Sequence, residues 1–174
     1  FCEHDALLQN EGKGLLIEEF GKNYQYYFSI LQTVACGVTQ MSQIAAKSGI
    51  MVTSISKYLD ELVTKYEVLE RRQPVTATTE DHKNGRYYLR DPLLRFWFRY
   101  LHKNQSLVAM GAEERLAEKI MSDLPTFMGL HFEVLTRELI ISRNDGTVIP
   151  FTFDRIGSYW DRKGSVEVDI VALD

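Results

Sequence analysis

The sequence predicts an α+β fold, because its hydrophobic periodicity changes from helical to extended along the chain. Apolar residues recur every three or four positions from Tyr24 to about Ile141, the spacing of one buried helix face. After the turn residues Arg143 to Gly146, apolar and polar residues alternate as they do in strands. Helices that are followed by strands, rather than interleaved with them, are typical of an α+β architecture.

The first half of the chain contains a run of helices separated by glycine. Gly21 is expected to stop the first helix, Gly37 to end the second as a left-handed cap, and Gly49 to lie in a tight turn. Thr39 is expected to cap one helix, and Thr53 or Ser54 to open the next. In chain order, the predicted helices are Gly14–Phe20, Tyr24–Ala35, Thr39 to Lys47, and Thr53 or Ser54 to Lys65.

Two strands come next, Val68–Arg72 and Arg86–Leu89, joined by a polar loop over Gln73–Asn84. Three helices with a tight turn between the second and third, followed by such a strand pair, form a winged helix-turn-helix. We therefore predict a connector and short helix over residues 1–22 and a winged domain over 23–90. Its predicted core consists of Ile30, Leu31, Ile44, Ile55, Leu59 and Leu62.

Residues 91–174 are predicted to form a helical segment that leads into a small α+β unit. Asp91 caps a helix that runs to about His102, with Pro92 at its first position. Phe96, Trp97 and Phe98 must be largely buried and are expected to join the winged domain to the C-terminal half of the chain. Two further helices, Glu113–Ser122 and Pro125 or Thr126 to about Ile141, precede the strands. The second of these is expected to turn Phe127, Leu130, Val134, Leu135 and Leu139 inward. The predicted strands are Val148–Phe153, Ile156–Trp160 and Ser165–Leu173.

Composition indicates a soluble, cytoplasmic protein with no membrane partner. Hydrophobic residues make up 45% and charged residues 25% of the chain, and no apolar run approaches the roughly 20 residues that span a bilayer. Cys2 and Cys36 are too few for a disulfide framework, and Cys36 is expected to be buried. Because the chain begins with Phe1 and ends within a predicted strand, it is expected to be a piece of a longer polypeptide.

The charge is unevenly distributed, and only the predicted winged domain is basic. Residues 1–22 carry two Lys and five Asp or Glu, a net charge of −3. Residues 23–90 carry eight Lys or Arg and six Asp or Glu, a net charge of +2. Residues 91–174 carry ten and thirteen, a net charge of −3. This balance permits contact with nucleic acid without requiring it.

A candidate surface for duplex DNA lies on the third helix and the wing. Ser, Thr and Lys side chains off the apolar stripe suit contacts to phosphates and base edges. Asp60 and Glu61 oppose such contacts, because they would face the phosphates. The alternative interpretation is that the winged domain docks a protein and touches no DNA. The candidate nucleic-acid-binding residues are Ser54, Lys57, Lys65, Arg71, Arg72, Lys83 and Arg86.

A second candidate site is acidic. Glu167 and Asp169 lie two apart on one predicted strand, and Glu133 lies on the preceding helix. Such oxygen ligands could bind a hard divalent cation such as Mg²⁺, although a solvated strand face would have the same sequence. The four histidines show no metal-ligand spacing, and no phosphate-binding glycine loop is present.

Several blocks of sequence resemble the C-terminal part of the archaeal-type AAA ATPases, which are related to the signal-transduction ATPases with numerous domains (STAND). These blocks are Tyr27-Phe28-Ser29-Ile30-Leu31, Lys57-Tyr58-Leu59-Asp60-Glu61-Leu62, Gly85-Arg86-Tyr87-Tyr88-Leu89-Arg90-Asp91-Pro92, Phe96-Trp97-Phe98, Gly129-Leu130-His131-Phe132-Glu133, Tyr159-Trp160-Asp161 and Val168-Asp169-Ile170-Val171-Ala172. The resemblance covers nearly the whole chain from about residue 7.

The resemblance implies a winged helix followed by a restriction-endonuclease-like domain of the PD-(D/E)xK type. Glu133 would then be the helical acid and Asp169 the first strand acid, the candidate catalytic residues. The Glu-x-Lys of the following strand has no counterpart here, so the resemblance implies that this part of the protein cleaves no nucleic acid.

Three functional interpretations are compatible with the sequence. The first is a non-catalytic regulatory module that contacts DNA weakly and works with an upstream ATPase domain. The second is a protein-docking scaffold that relays the nucleotide state of that ATPase. The third is a metal-dependent nuclease that is active only in a longer protein. The sequence specifies no cofactor for this part of the chain and leaves homo-oligomer formation open.

Overall fold

The computed structural model describes residues 11–78, 84–147 and 149–174, and it confirms the α+β class. The described residues fall into two compact units. The first takes those up to Arg72 and from Arg86 to Ile120, and the second takes those from Gln73 to Gly85 and from Met121 to Asp174. Residue 90, the predicted end of the winged domain, lies inside the first unit.

The first unit begins with four helices: α1 (Glu11–Phe20), α2 (Tyr24–Ala35), α3 (Met41–Ser48) and α4 (Val52–Thr64). Their apolar faces meet in one core, which also includes Leu16, Phe20 and Tyr27. The six predicted core residues are all fully buried: Ile30, Leu31, Ile44, Ile55, Leu59 and Leu62. Helical spacing predicted this core because each of these residues lies on the single apolar face of its helix.

The helix ends differ from the predicted ones. The cap of α3 is Gln40 rather than Thr39, and the cap of α4 is Met51 rather than Thr53 or Ser54. Neither cap side chain bonds to the backbone of its helix. The expectation that Cys36 is buried was wrong, because Cys36 is the exposed residue that ends α2.

Strands β1 (Leu69–Arg72) and β2 (Arg86–Leu89) pair antiparallel, with Leu69 opposite Leu89 and Arg72 opposite Arg86. Gln40 bridges to Arg86 on the other side of β2, and the Tyr87 amide donates to the Thr39 carbonyl at 2.9 Å. The backbone of Thr39 and Gln40 therefore forms a short third segment beside β2 in the sheet. This order of helices and strands matches the predicted winged helix-turn-helix.

The segment after β2 stays in the first unit. Asp91 caps α5 (Pro92–Phe96), and its Oδ1 accepts from the Leu93 amide at 2.7 Å, as predicted. A π-helical turn over Trp97–Leu101 comes next, then a 3₁₀ turn over His102–Asn104 and α6 (Gln105–Ala109). Trp97 and Phe98 are buried and pack edge-on against Phe28 of α2, so they complete the core of the first unit.

Helix α7 (Glu113–Ser142) is continuous, so the prediction of two separate helices was wrong. Pro125 lies inside it. A proline removes one backbone hydrogen bond but does not always end a helix, because long helical segments on both sides keep the helical path. Phe127 is buried as predicted, whereas Leu135 and Leu139 are exposed rather than turned inward.

The second unit contains β3 (Arg155–Trp160) and β4 (Glu167–Leu173), which pair antiparallel. The predicted strand over Val148–Phe153 was wrong: residues 149–153 form bends and irregular structure, and Val148 lies outside the described residues. Pro150 cannot donate to a strand ladder. The Asn144 side chain instead bonds to both the amide and the carbonyl of Phe153, at 3.0 and 2.8 Å.

The loop predicted as a wing belongs to the second unit. The Val75 amide donates to the Ser158 carbonyl of β3 at 2.8 Å, and the indole Nε1 of Trp160 donates to the Asn84 carbonyl at 2.9 Å. Gly157 lies so close to Val75 that a Cβ atom there would be 3.2 Å from the valine Cβ. Both described ends of the loop are therefore held by β3.

Candidate nucleic-acid interface

Helix α4 displays the predicted polar face. Its N-terminal Thr53, Ser56 and Lys57 are exposed, and Ser54 is half-buried. Lys57 is a highly accessible cation of this face, with 75% of its side chain exposed. Its Nζ lies 4.0 Å from Oε1 of Glu61, one helical turn away. The first two turns of α4 thus expose hydroxyl groups and the Lys57 ammonium group to solvent.

The acidic residues of α4 differ in their environment. Asp60 is exposed and adds negative charge to the face. Glu61 accepts a hydrogen bond from the hydroxyl of the buried Tyr27, so its carboxylate holds α2 against α4. A buried tyrosine needs a hydrogen-bond partner for its hydroxyl. Sequence reasoning missed this role of Tyr27 because the partner lies on another helix, far away in the sequence.

Lys65 lies just after α4 and is engaged with its neighbour. Its Nζ is 3.1 Å from the hydroxyl of Tyr66 and 4.5 Å from the centre of that ring. The hydrogen bond to Tyr66 is the main cause that raises the pKa of Lys65. The ammonium group therefore remains charged while it covers the tyrosine ring.

The arginines of the β1–β2 sheet differ in how accessible they are to a phosphate backbone. Arg71 is exposed, with its guanidinium 6.0 Å from the centre of the Tyr87 ring. Arg72 forms an ion pair with Glu70 and stacks 4.5 Å from the Tyr88 ring centre. Arg86, which was also predicted to contact DNA, is buried in the central strand, and this burial disfavours such a contact. Lys83 lies outside the described residues.

Taken together, the α4 to β1 surface carries no net charge. Between Met51 and Arg72 the chain has four cationic residues, Lys57, Lys65, Arg71 and Arg72, and four anionic ones, Asp60, Glu61, Glu67 and Glu70. The mild positive charge assigned to residues 23–90 is therefore not concentrated on the helix that would enter the major groove. A phosphate backbone would find little net attraction here.

The predicted acidic site does not form a three-ligand cluster. Glu133 is half-buried on α7, and Glu167 and Asp169 are exposed on β4. Where β3 advances two residues, from Gly157 to Tyr159, β4 advances three, so one residue bulges near Asp169 and strict alternation fails there. Within the described part of the chain, no group of three or more His, Cys, Asp or Glu side chains could hold a metal ion.

Two polar arrangements in the second unit were not anticipated from the sequence. Asp161 accepts hydrogen bonds from the amides of Ser165 and Val166 and from the Ser165 hydroxyl, which organises the turn between β3 and β4. The Asp-x-x-x-Ser spacing in a turn is a signal that could have found it. Arg137 of α7 donates to the Ser158 hydroxyl at 3.0 Å and ties the helix to β3.

None of the helices in the described ranges, including the thirty residues of α7, combines the length and apolarity that crossing a membrane requires.

Comparison with known proteins found one family model and one archaeal protein to which the chain is similar. Residues 97–174 match a family model described as DUF234, "Archaea bacterial proteins of unknown function". The uncharacterized protein MJECL04 of Methanocaldococcus jannaschii is 32% identical over 169 residues. That alignment covers 97% of this chain but only 37% of the relative, so the chain spans about a third of that protein's length. No solved structure matches the chain. Over its second half the chain is therefore similar to an archaeal and bacterial family.

Proposed function

We propose that this chain is a non-catalytic regulatory module of a longer ATPase-containing protein, and that its winged helix docks a protein rather than DNA. The observation that carries the proposal is the neutral surface of α4 and β1, on which four cations are matched by four anions. Winged domains that bind DNA depend on phosphate contacts for affinity. A balanced surface lacks that contribution.

The arginines support the same choice. Arg86 is buried, and Arg72 is committed to Glu70 and to the Tyr88 ring. Releasing Arg72 to a phosphate would break an ion pair that already exists. Two of the cations that would hold a wing on a DNA backbone therefore have other roles.

The start of α4 is also more apolar than a groove-reading helix needs. Met51 and Val52 are both exposed, next to the hydroxyls of Thr53 and Ser56. Exposed apolar side chains with a polar rim are typical of protein contact surfaces. This patch of Met51, Val52 and Thr53 is the docking surface that we assign to the winged helix.

The link to an ATPase rests on the resemblance of these residues to the C-terminal part of archaeal-type AAA ATPases. The length of MJECL04, of which this chain spans about a third, is compatible with a further domain in that relative. In such a protein the winged helix would relay the nucleotide state of the ATPase to its partner.

The ATPase link is tested on intact MJECL04. ATP binding and hydrolysis are measured for the whole protein and for a version that lacks the region matching this chain. We expect hydrolysis by the whole protein and a several-fold change in rate, with ATP binding retained, when the region is removed. A whole protein that neither binds nor hydrolyses ATP would show that the ATPase link is wrong.

DNA contact is the second candidate function, favoured by the high exposure of Lys57 and by the exposed Arg71. Fluorescence anisotropy with random duplex DNA at low salt separates the two proposals. Docking predicts no saturable binding by this chain. DNA contact predicts salt-dependent binding that Lys57→Ala weakens more than the control Lys22→Ala, which removes the same charge from an exposed site on another element.

A further inference from the structure

Helix α7 passes from the first unit into the second within one continuous helix. Its residues up to Ile120 belong to the first unit, and those from Met121 onward belong to the second. The chain also crosses between the units at residues 72–73 and 85–86. At those two crossings the residue on the side of the second unit lies outside helices and strands, whereas the crossing in α7 is helical. Among these crossings, α7 is therefore the one that regular backbone hydrogen bonds would keep rigid.

A gap in the helical hydrogen bonding coincides with this boundary. Pro125 lies inside α7. Proline has no amide hydrogen, so it cannot donate to the carbonyl four residues earlier, and its ring crowds that carbonyl. The carbonyl in question belongs to Met121, the first residue of α7 in the second unit. The missing bond therefore falls on the turn at which the helix changes unit.

Each part of α7 is anchored in its own unit on either side of this turn. Leu116 is fully buried in the core of the first unit, and Ile120 packs against that core. In the second unit Phe127 is buried, and Arg137 donates a hydrogen bond to a serine hydroxyl of β3 at 3.0 Å. Residues 121–126 lie between these anchors, and four of the six are exposed. The turn with the missing bond thus has little side-chain packing to hold it straight.

We propose that residues 121–125 form a hinge at which α7 bends, so that the second unit can move while the first keeps its core. Proline is a common cause of bends in helices, because the lost bond and the crowded carbonyl both weaken the turn before it. Bending at this turn leaves the anchored parts of α7 helical. The crossings at residues 72–73 and 85–86 can follow, since they have no helical hydrogen bonds to break. The hinge does not depend on which partner the winged helix docks.

The first test measures the distance between two spin labels on α7, one on each side of the turn. In a background with Cys2→Ser and Cys36→Ser, the labels are attached through Glu118→Cys and Leu139→Cys, at exposed positions away from the helix ends. In a straight helix these two Cα atoms lie about 32 Å apart. We expect a broad distribution that extends to shorter distances with Pro125 present. Pro125→Ala should give a narrower distribution centred at a longer distance, because alanine restores the amide donor and favours the helix.

The matched control for the distance measurement is Thr126→Ala, at the exposed residue beside the proline. It should leave the distribution as broad as in the chain that keeps Thr126, and circular dichroism verifies the helix content of both variants. The same narrow distribution with and without Pro125 would show that α7 is a rigid rod and would overturn the proposal. Narrowing by Thr126→Ala to the same extent would also overturn it, because the effect would not come from the proline.

The second test is amide exchange in the unlabelled chain. Opening of the hinge exposes the amide of Leu124, which lies within the turn, so Pro125→Ala should slow exchange at Leu124 several-fold. Exchange at Leu116, whose amide donates to the Ala112 carbonyl in the first unit, should change little. Leu135, further along α7 in the second unit, is the control for general stabilisation. Unchanged exchange at Leu124, or equal slowing at Leu124 and Leu135, would overturn the hinge.

Discussion

The hydroxyl of Tyr27 in α2 donates a hydrogen bond to the carboxylate of Glu61 in α4, the helix predicted to contact DNA. This contact holds the Glu61 carboxylate in place. Tyr27 is buried, whereas the Glu61 side chain is 29% exposed. Glu61 is therefore part of the structural support of α4 rather than a free surface charge. An acid in this position holds the helix in place and at the same time disfavours phosphate contact.

Replacing Tyr27 with Phe should destabilise the first unit by about 1 to 2 kcal/mol, since a hydrogen bond to a charged group is lost but Glu61 can still reach water. The measurement is urea unfolding at neutral pH. The control is Tyr26→Phe, at the exposed neighbouring tyrosine. Equal midpoints for the two variants would show that the Tyr27–Glu61 bond contributes nothing.

The same contact predicts behaviour at high pH. Burial, followed by the hydrogen bond to Glu61 and its charge, raises the pKa of Tyr27. Because the folded-state pKa lies above the ordinary value of about 10, the added stability is fully present below pH 10 and is lost as the pH rises further. Between pH 10 and 12, the free energy of unfolding should therefore fall less steeply with pH for Tyr27→Phe than for the parent chain. An unchanged pH dependence would contradict the assignment.

Leu59 is the sharpest test of the predicted core. It is fully buried on the inner face of α4, so Leu59→Ala should lower the free energy of unfolding by about 2 to 5 kcal/mol. Leu93→Ala is the control, because Leu93 is exposed and its loss should change stability by less than about 0.5 kcal/mol. Urea unfolding midpoints of the two variants that coincide would contradict the core assignment.

Local patterns carried most of what the sequence could predict about the fold. Helix α2 was predicted to the residue, because its apolar spacing and the following Gly37, with a φ of 89°, are both local signals. The start of α3, where Gln40 rather than the predicted Thr39 is the cap, was not predictable in the same way. The Thr39 carbonyl accepts a hydrogen bond from the Tyr87 amide of β2, a partner that only the folded sheet supplies. Local sequence patterns do not predict helix ends that depend on such distant partners.

In the candidate interface too, features set by local sequence were predictable and features set by distant contacts were not. Lys57 was correctly predicted to be exposed, since it lies off the apolar stripe of α4. The burial of Arg86 was not predicted, because it arises from the position of β2 between β1 and the bridge to Gln40. Strand centrality depends on contacts between segments far apart in the sequence. Period-2 alternation alone does not report it.

The close approach of Gly157 to Val75 predicts that larger side chains at residue 157 displace the loop. Gly157→Val would place a Cβ at 3.2 Å from that of Val75 and add two methyl groups beyond it. The hydrogen bond from the Val75 amide to the Ser158 carbonyl should then open, which is seen as faster amide exchange at Val75. The control is Gly129→Val, at a helical glycine with open space around it. Slow exchange at Val75 in the Gly157→Val chain would contradict this prediction.

Asp161 makes the hairpin between β3 and β4 sensitive to acid. The hydrogen bond from the Ser165 hydroxyl is the largest cause that lowers the pKa of Asp161, and the amides of Val166, Ser165 and Gly164 add to it. A carboxylate with a lowered folded-state pKa contributes stability above its ordinary pKa and loses that contribution as the pH falls through the lowered value. The hairpin should therefore loosen only in strongly acidic solution, below the ordinary pKa of an aspartate, while the fully buried helical core of the first unit stays folded.

The measurement is amide exchange at Val166, whose N–H donates to Asp161 at 3.1 Å, followed from pH 6 to pH 2 after correction for the intrinsic exchange rate. In the parent chain we expect protection to fall with the pH as Asp161 takes up a proton. Asp161→Asn keeps an acceptor oxygen but has no charge to lose, so its protection should be lower at pH 6 and nearly constant below it. The control is Asp154→Asn, which removes the same charge from an exposed residue just before β3 and should leave the profile at Val166 unchanged. If the parent chain and Asp161→Asn show the same dependence on pH, Asp161 is not the group that makes this turn acid-sensitive.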